Sequence, residues 1–308
     1  MLRKTSKKDS DPDKKPKLSY WSKTKCNCPV CNHSFEKEEM LSGGGRMNAG
    51  DLTDELHRLY LPSKTFGDIY PLIYSVGACP YCHTALFWKD FEEIKDKPTI
   101  DILRDDDENR KAAVEAIFPH YNLKKERNLL DGAAMYYLAL LCYEKVAPGY
   151  SPTIKRAIIS LRLAWLCNHL HNTIPTYNYD YIAKIFYKKA LFFYGQTLEY
   201  ETSGKEPIGG LASFGPDIDK NYGFDGIIYL KALLEYKYGQ TNDMDLRYKC
   251  FDENKRSIAR IFGLGKSSKA KPGPLLEKAR NLYDQLAQEL KNATNLDIDL
   301  SDDDESGE

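Results

Sequence analysis

The alternation of apolar and polar residues changes character near residue 123. From Leu123 to Lys291 apolar and aromatic side chains return every three or four positions, in blocks of about 15–22 residues. That is the spacing of amphipathic helices rather than strands. The pattern predicts helices near 125–146, 152–171, 178–202, 224–238, 243–262 and 273–292. Pro148-Gly149, Pro175, the stretch from Gly204 to Gly215 and Pro272-Gly273-Pro274 separate them. Asp131 and Ser151 are expected as N-caps, with Pro152 as a first helical residue. Before residue 123 the texture is different. Residues 21–95 carry short β-prone pieces at Ile69–Val76 and Ala85–Trp88, the run Gly43-Gly44-Gly45, and one short helical stripe at Leu52–Leu61. Residues 96–122 form a charged connector, with a helix expected from Asp106 to Phe118 that stops before Pro119. Residues 1–20 carry almost nothing apolar and residues 293–308 are acidic, and they are expected to be a disordered basic arm and a disordered acidic tail.

Composition adjusts this picture only in places. The 308 residues are 42 % hydrophobic and 29 % charged, enough to bury a sizeable core. Lys+Arg is 44 and Asp+Glu is 45, a net charge of −1, which excludes a globally basic nucleic-acid coat protein. The average hides two opposite ends, since residues 1–25 carry nine Lys/Arg against three Asp and residues 297–308 carry seven Asp/Glu and no base. No apolar run approaches the roughly 18 residues of a membrane span. The N-terminus MLRKTSKKDSDPDKK lacks an apolar signal region. The chain is therefore expected in the cytoplasm with its thiols reduced, and its eight cysteines as metal ligands or buried thiols rather than bridges.

Chemistry concentrates at Cys28-Pro29-Val30-Cys31 and Cys79-Pro80-Tyr81-Cys82, two CPxC knuckles 47 residues apart. Two thiolates two residues apart grip one tetrahedral Zn²⁺ at about 2.3 Å, and a second such turn completes the coordination. The residue after the second cysteine of such a turn commonly needs a left-handed backbone. Asn32 and His83, which tolerate it better than most, stand there. Four thiolates leave no position for water, so Cys28, Cys31, Cys79 and Cys82 are expected to hold a structural rather than a catalytic zinc. Metal binding worth roughly 10–16 kcal/mol would fold a segment otherwise too small for its own core. A redox role fits less well, because thioredoxin-type CxxC motifs occur singly within a βαβ pattern. Cys26 is expected as a passive neighbour and His33 as a surface or packing residue. Backbone N–H groups of the knuckles are expected to donate to the sulfurs.

Within the helical part, Ala183, Tyr187 and Ala190, and then Ala232, Gly239, Met244, Tyr248 and Phe251, match the small–turn–small–aromatic frame of tetratricopeptide (TPR) repeats. An irregular helical bundle with the same apolar stripes satisfies the period equally. The chain carries 22 Tyr, for which core edges with wet hydroxyls are expected. Other signals carry less. Gly265-Lys266-Ser267 lacks the upstream glycine and strand of a phosphate loop. Cys167, His169 and His171 do not share a helix face. Asp105-Asp106-Asp107 and Asp302-Asp303-Asp304 are ordinary solvated charge runs. No catalytic constellation emerges.

The N-terminal pattern resembles the Domain of Unknown Function 2225 family of bacterial proteins. The resemblance rests on Cys28-Pro29-Val30-Cys31 with Phe35, Tyr70-Pro71 with Tyr74, and Cys79-Pro80-Tyr81-Cys82 with Ala85 and Phe91. In the helical half it rests on Leu161-Arg162-Leu163-Ala164-Trp165-Leu166 and Tyr229-Leu230, and it spans about residues 24–262. It implies a four-cysteine zinc ribbon-like start and a TPR-like remainder, and no reaction. Tyr70 stands where an Asn is usual, Asn32 and His83 where glycines are usual, and Cys26 is additional. The fold class expected is a small zinc-ribbon-like α+β module (21–95), a connector (96–122) and an all-α TPR-like helical-repeat domain (123–292). The function expected is a non-enzymatic adaptor that binds a protein partner through the helical domain. The alternative is nucleic-acid binding through Lys4, Lys7, Lys8, Lys14, Lys15 and Lys17. An uncharacterised enzyme is the third reading, and a small-molecule substrate is not indicated.

Overall fold

A computed structural model describes residues 16–262 and 271–304. Most of the basic arm, the Gly265-Lys266-Ser267 motif and residues 305–308 lie outside the described residues. The N-terminal third consists of three two-stranded antiparallel hairpins. Strands β1 (Ser19–Asn27) and β2 (Ser34–Met40) pair so that Asn27 faces Ser34 across the first CPxC turn. Strands β3 (Asn48–Leu52) and β4 (Arg58–Leu61) form the second hairpin. Strands β5 (Val76–Ala78) and β6 (Ala85–Phe87) form the third, with Ala78 facing Ala85 across the second CPxC turn. Order begins earlier than the composition of residues 1–20 suggests, because Ser19 is buried and its hydroxyl donates to Glu38 at 2.6 Å.

The expected helix over Leu52–Leu61 is instead this second hairpin. Leu52, Leu56 and Tyr60 recur every four residues, which imitates a helical stripe. Leu56, however, sits in the turn at φ +59° with its side chain fully buried, and the chain reverses there.

Nine α-helices follow among the described residues: α1 (Trp88–Glu93), α2 (Lys97–Asp105), α3 (Asp107–Ile117), α4 (Leu129–Tyr143), α5 (Pro152–Thr173), α6 (Tyr179–Ser203), α7 (Gly223–Tyr238), α8 (Met244–Phe262) and α9 (Gly273–Asp304). The last runs on through most of the segment expected to be a disordered tail. The connector is itself helical. Asp96 caps α2 by accepting from the Thr99 N–H at 2.9 Å, and Leu103, Val114 and Phe118 are fully buried. Asp131 is not the N-cap of α4. Asn128 takes that place and accepts from the Asp131 N–H at 2.9 Å, while the Asp131 carboxylate accepts from the Asn128 N–H at 3.2 Å, a reciprocal capping box. Ser151 precedes Pro152 as expected, but in a left-handed conformation, and its hydroxyl donates to the Pro207 carbonyl instead of capping α5.

Cysteine hairpins and helices share a single apolar core that extends from Cys28 to Leu286. Helix α4 joins the halves by packing on β5, β6 and the 3₁₀ turn Pro71–Tyr74. The approach is closest at Gly132, where a Cβ would stand 2.4 Å from the Ile73 side chain. Gly132→Ala is therefore expected to cost about 1–3 kcal/mol through overpacking. Gly149→Ala, with nothing within 4 Å of its Cβ position, should stay within about 0.5 kcal/mol. Urea unfolding of the two variants checks the difference, and equal midpoints would contradict the close contact. From α4 to α9 each helix packs on the next. The β3–β4 turn plugs into the cup formed by α5, α6, α7 and α9. Glu55 accepts from Trp165 Nε1 at 2.7 Å, Tyr187 Oη at 3.0 Å and Lys237 Nζ at 3.3 Å. Asp54 accepts from Tyr229 Oη at 2.8 Å on its carbonyl and from Lys278 Nζ at 3.1 Å on its carboxylate. Several tyrosines are thus sealed rather than at wet edges: Tyr136, Tyr143, Tyr179, Tyr194 and Tyr229 are fully buried. Among the described residues no helix is long and apolar enough to cross a membrane.

Candidate metal centre

The first and third hairpins each carry one knuckle in their turn, and the two turns have the same backbone plan. In the first, the Cys28 N–H donates to the His33 carbonyl at 3.0 Å and the Asn32 N–H to the Cys28 carbonyl at 2.9 Å. In the second, the Cys79 N–H donates to the Thr84 carbonyl at 2.8 Å and the His83 N–H to the Cys79 carbonyl at 3.0 Å. Asn32 at φ +61° and His83 at φ +50° occupy the left-handed position that their place after each knuckle leads one to expect. Both turns aim their sulfurs at a common point.

All four Sγ atoms lie within 4.8 Å of one another, with Cys28 to Cys82 at 3.5 Å and Cys31 to Cys79 at 3.6 Å. A disulfide needs about 2.05 Å, so these are not bridges, and all eight cysteines are free. Four bonds of about 2.3 Å in a tetrahedron place the sulfurs roughly 3.8 Å apart, which matches the cluster. Cys28, Cys79 and Cys82 are buried and Cys31 is half-buried. On their own, Cys28 and Cys82 shift in opposite directions. Hydrogen bonds with Cys79 and Cys82, together with burial, push Cys28 far up, while hydrogen bonds with Cys28 and Cys79 pull Cys82 down. Four like charges this close ionise together only around a cation. The donor set therefore suits a soft divalent ion held by sulfur alone.

The surroundings complete the site. The backbone N–H groups of Cys31, Tyr81 and Thr84 favour the ionised forms of Cys28, Cys79 and Cys82 respectively. The fully buried Thr84 places Oγ1 3.2 Å from Cys82 Sγ. Two guanidinium groups hold the knuckles from outside: Arg104 Nη2 donates to the Val30 carbonyl at 3.2 Å and Arg110 Nη2 to the Cys82 carbonyl at 3.0 Å. Four thiolates around a divalent ion carry two negative charges, and these two cations lie where they offset them. His83 Nδ1 lies 2.7 Å from Asp107 Oδ1, tying the second knuckle to α3. None of these supports was singled out from the sequence, where residues 96–122 read as a charged connector with one helix over Asp106–Phe118. Their signal, arginines 22 and 28 positions past Cys82, has no meaning until the connector folds back.

The remaining cysteines stay out. Cys26 is half-buried, outside the cluster, with burial and then Glu92 raising its thiol. Cys142 accepts from the Ala85 N–H at 3.3 Å, and burial pushes its thiol up to about 11, so it remains protonated beside the knuckle. His33 stacks on Tyr81 with ring centroids 4.4 Å apart. Cys167, His169 and His171 form no metal-holding group among the described residues.

Residues 21–286 match the family described as uncharacterized protein conserved in bacteria (DUF2225). A curated relative from Borreliella burgdorferi, itself described as an uncharacterized protein, is 42 % identical over 277 residues, covering 90 % of this chain and 99 % of the relative. No solved structure matches.

Proposed function

This chain belongs to the DUF2225 family of bacterial proteins, and on that premise we propose that it is a non-enzymatic, zinc-stabilised adaptor. Cys28, Cys31, Cys79 and Cys82 hold one structural Zn²⁺ in a zinc-ribbon-like module, and the TPR-like helices present a surface to a protein partner in the cytoplasm. The observation that carries the reading is the closed, buried four-sulfur cluster, with no fifth ligand among the described residues and no room in its tetrahedron for a reacting molecule. Such an ion organises structure instead of activating water. The TPR-like reading is supported by the order of packing, each helix against the next, and by the burial of Ala183, Tyr187, Ala190, Ala232 and Phe251 from the repeat frames. The cup formed by α5, α6, α7 and α9 is occupied by the chain's own Asp54–His57 turn. A partner is therefore better met by the outward faces, where Tyr177, Tyr181 and Phe192 are exposed.

The test uses the intact chain, because α4 shares its core with the cysteine hairpins. A purified partner recovered on the immobilised chain should slow hydrogen exchange on α5–α8 and be lost in a Tyr181→Glu/Phe192→Glu variant that keeps its zinc. Binding that instead falls steeply with salt and requires nucleic acid would support the alternative reading, which rests on the basic arm.

A further inference from the structure

A cavity of about 350 Å³ lies between the β3–β4 hairpin, residues 68–72 and the C-terminal half of α5. His57 and His169 both line it, their rings edge to face with centroids 6.2 Å apart. His57 is held firmly. Its ring lies flat on Trp165 at 4.1 Å, and its Nδ1 is 2.6 Å from Oδ2 of Asp217, whose side chain has no exposed surface. Asp217 also accepts from the Arg58 N–H at 2.8 Å. Burial works against its ionisation, but the hydrogen bond from His57 and the charge of Arg162 hold its carboxyl below the usual range. An ionised Asp217 holds the proton on Nδ1, which leaves Nε2 as the ring nitrogen a ligand can meet.

Among the described residues, neither His57 Nε2 nor the His169 ring has a hydrogen-bond partner in the protein. None of these nitrogens belongs to the sealed, unsatisfied polar atoms, so they keep open surface, and the cavity is what they open onto. Burial holds His169 below its ordinary value, against the opposite pull of the Asp68 carboxylate; a neutral imidazole has one N–H to donate.

The two rings form no metal-holding group among the described residues. Their centroid separation of 6.2 Å leaves room for a single oxygen about 2.8 Å from a nitrogen of each ring. A hydroxyl group both donates and accepts, so it can meet one imidazole nitrogen in each sense. The rest of the wall is apolar at Leu59, Ile69 and Leu166 and polar at Arg58, Asp68 and Asn172.

We propose that this cavity binds a small, partly apolar molecule through a hydroxyl group that donates to His57 Nε2 and accepts from His169, with Asp217 as the positioning residue. The site stands independently of the zinc and of any protein partner. Phenol is the probe and benzene its control, titrated into the full-length chain by calorimetry, with the imidazole nitrogens followed by ¹⁵N NMR. Phenol should bind at least tenfold more tightly than benzene and move the ¹⁵N signals of both rings, which benzene should leave in place. His57→Gln and His169→Phe should bring phenol down to the affinity of benzene. Asp217→Asn should weaken phenol about tenfold while benzene stays within twofold. The NMR response of the unsubstituted chain decides the matter even where a variant fails to fold. Equal affinities would reduce the site to an apolar void, preferential binding of inorganic phosphate at the two rings would make it an oxyanion site, and no binding of phenol would remove it. Each of these outcomes overturns the proposal.

Discussion

Replacing Cys79 by serine is expected to abolish stoichiometric zinc and to unfold the front of the molecule. Zinc should be measured per chain on the purified protein, where about one equivalent is expected, and again on Cys28→Ser, Cys79→Ser and Cys26→Ser. The first two should lose the metal and the third should keep it, because Cys26 stands outside the cluster. Metal binding in small four-ligand domains contributes roughly 10–16 kcal/mol, far above what the short hairpins β1–β2 and β5–β6 supply alone. Loss should also spread past the hairpins. Cys82 is tied to α3 through Arg110, and β6 is tied to α4 through the Ala85–Cys142 contact. Near-UV signals from Trp21 and Trp88 should therefore collapse, and protection of α2 and α3 against hydrogen exchange should fall with them. A strong chelator should reproduce the effect in the unsubstituted chain, and added Zn²⁺ should reverse it. Full zinc content in both Cys28→Ser and Cys79→Ser would overturn the ligand assignment.

The four-cysteine cluster was legible in the sequence because its information is local. Each knuckle is complete within six residues, and the residue types at Asn32 and His83 already announced the backbone they adopt. The helices from α4 to α9 were legible for a related reason, since periodicity, Pro and Gly act over a few turns. What the sequence hid depends on distant partners. Leu52, Leu56 and Tyr60 carry a helical period, yet Glu55 and His57 are drawn into the helical cup by Trp165, Tyr187 and Lys237. Such contacts, more than 100 residues away along the chain, override local preference. The pairing of His57 with Asp217 spans 160 residues, and neither residue lies in a motif. Arg104 and Arg110 looked like solvated charge because the sequence does not show that α2 and α3 fold back onto the knuckles.

The second large effect is expected at Glu38, far from any solvent. Its side chain and that of Arg127 are only 1 % and 3 % exposed, with Arg127 Nε 3.0 Å from Glu38 Oε2. The carboxylate also accepts from the Ser19 hydroxyl at 2.6 Å and the Arg127 N–H at 3.1 Å. The guanidinium donates through Nη1 to the carbonyls of Ile73 at 2.6 Å and Val76 at 2.9 Å. This network fastens β2 to the segment before α4 and to the chain entering β5, so it closes the joint between the cysteine hairpins and the helices. Burial pulls the Arg127 guanidinium below its ordinary value and Glu38 pushes it back up, so the pair is stable only as a pair. Removing one member leaves a buried charge without its partner, which costs about 3–5 kcal/mol. Replacing both by apolar residues of similar size removes the desolvation cost together with the attraction. Glu38→Leu and Arg127→Met should therefore each lower the urea midpoint sharply, and the double variant should recover much of the loss. The zinc content of the folded fraction should stay at one equivalent throughout, because neither residue touches a knuckle. Single variants that unfold at the same urea concentration as the unsubstituted chain would show that the joint is held by apolar packing across Gly132 and Ile73 alone.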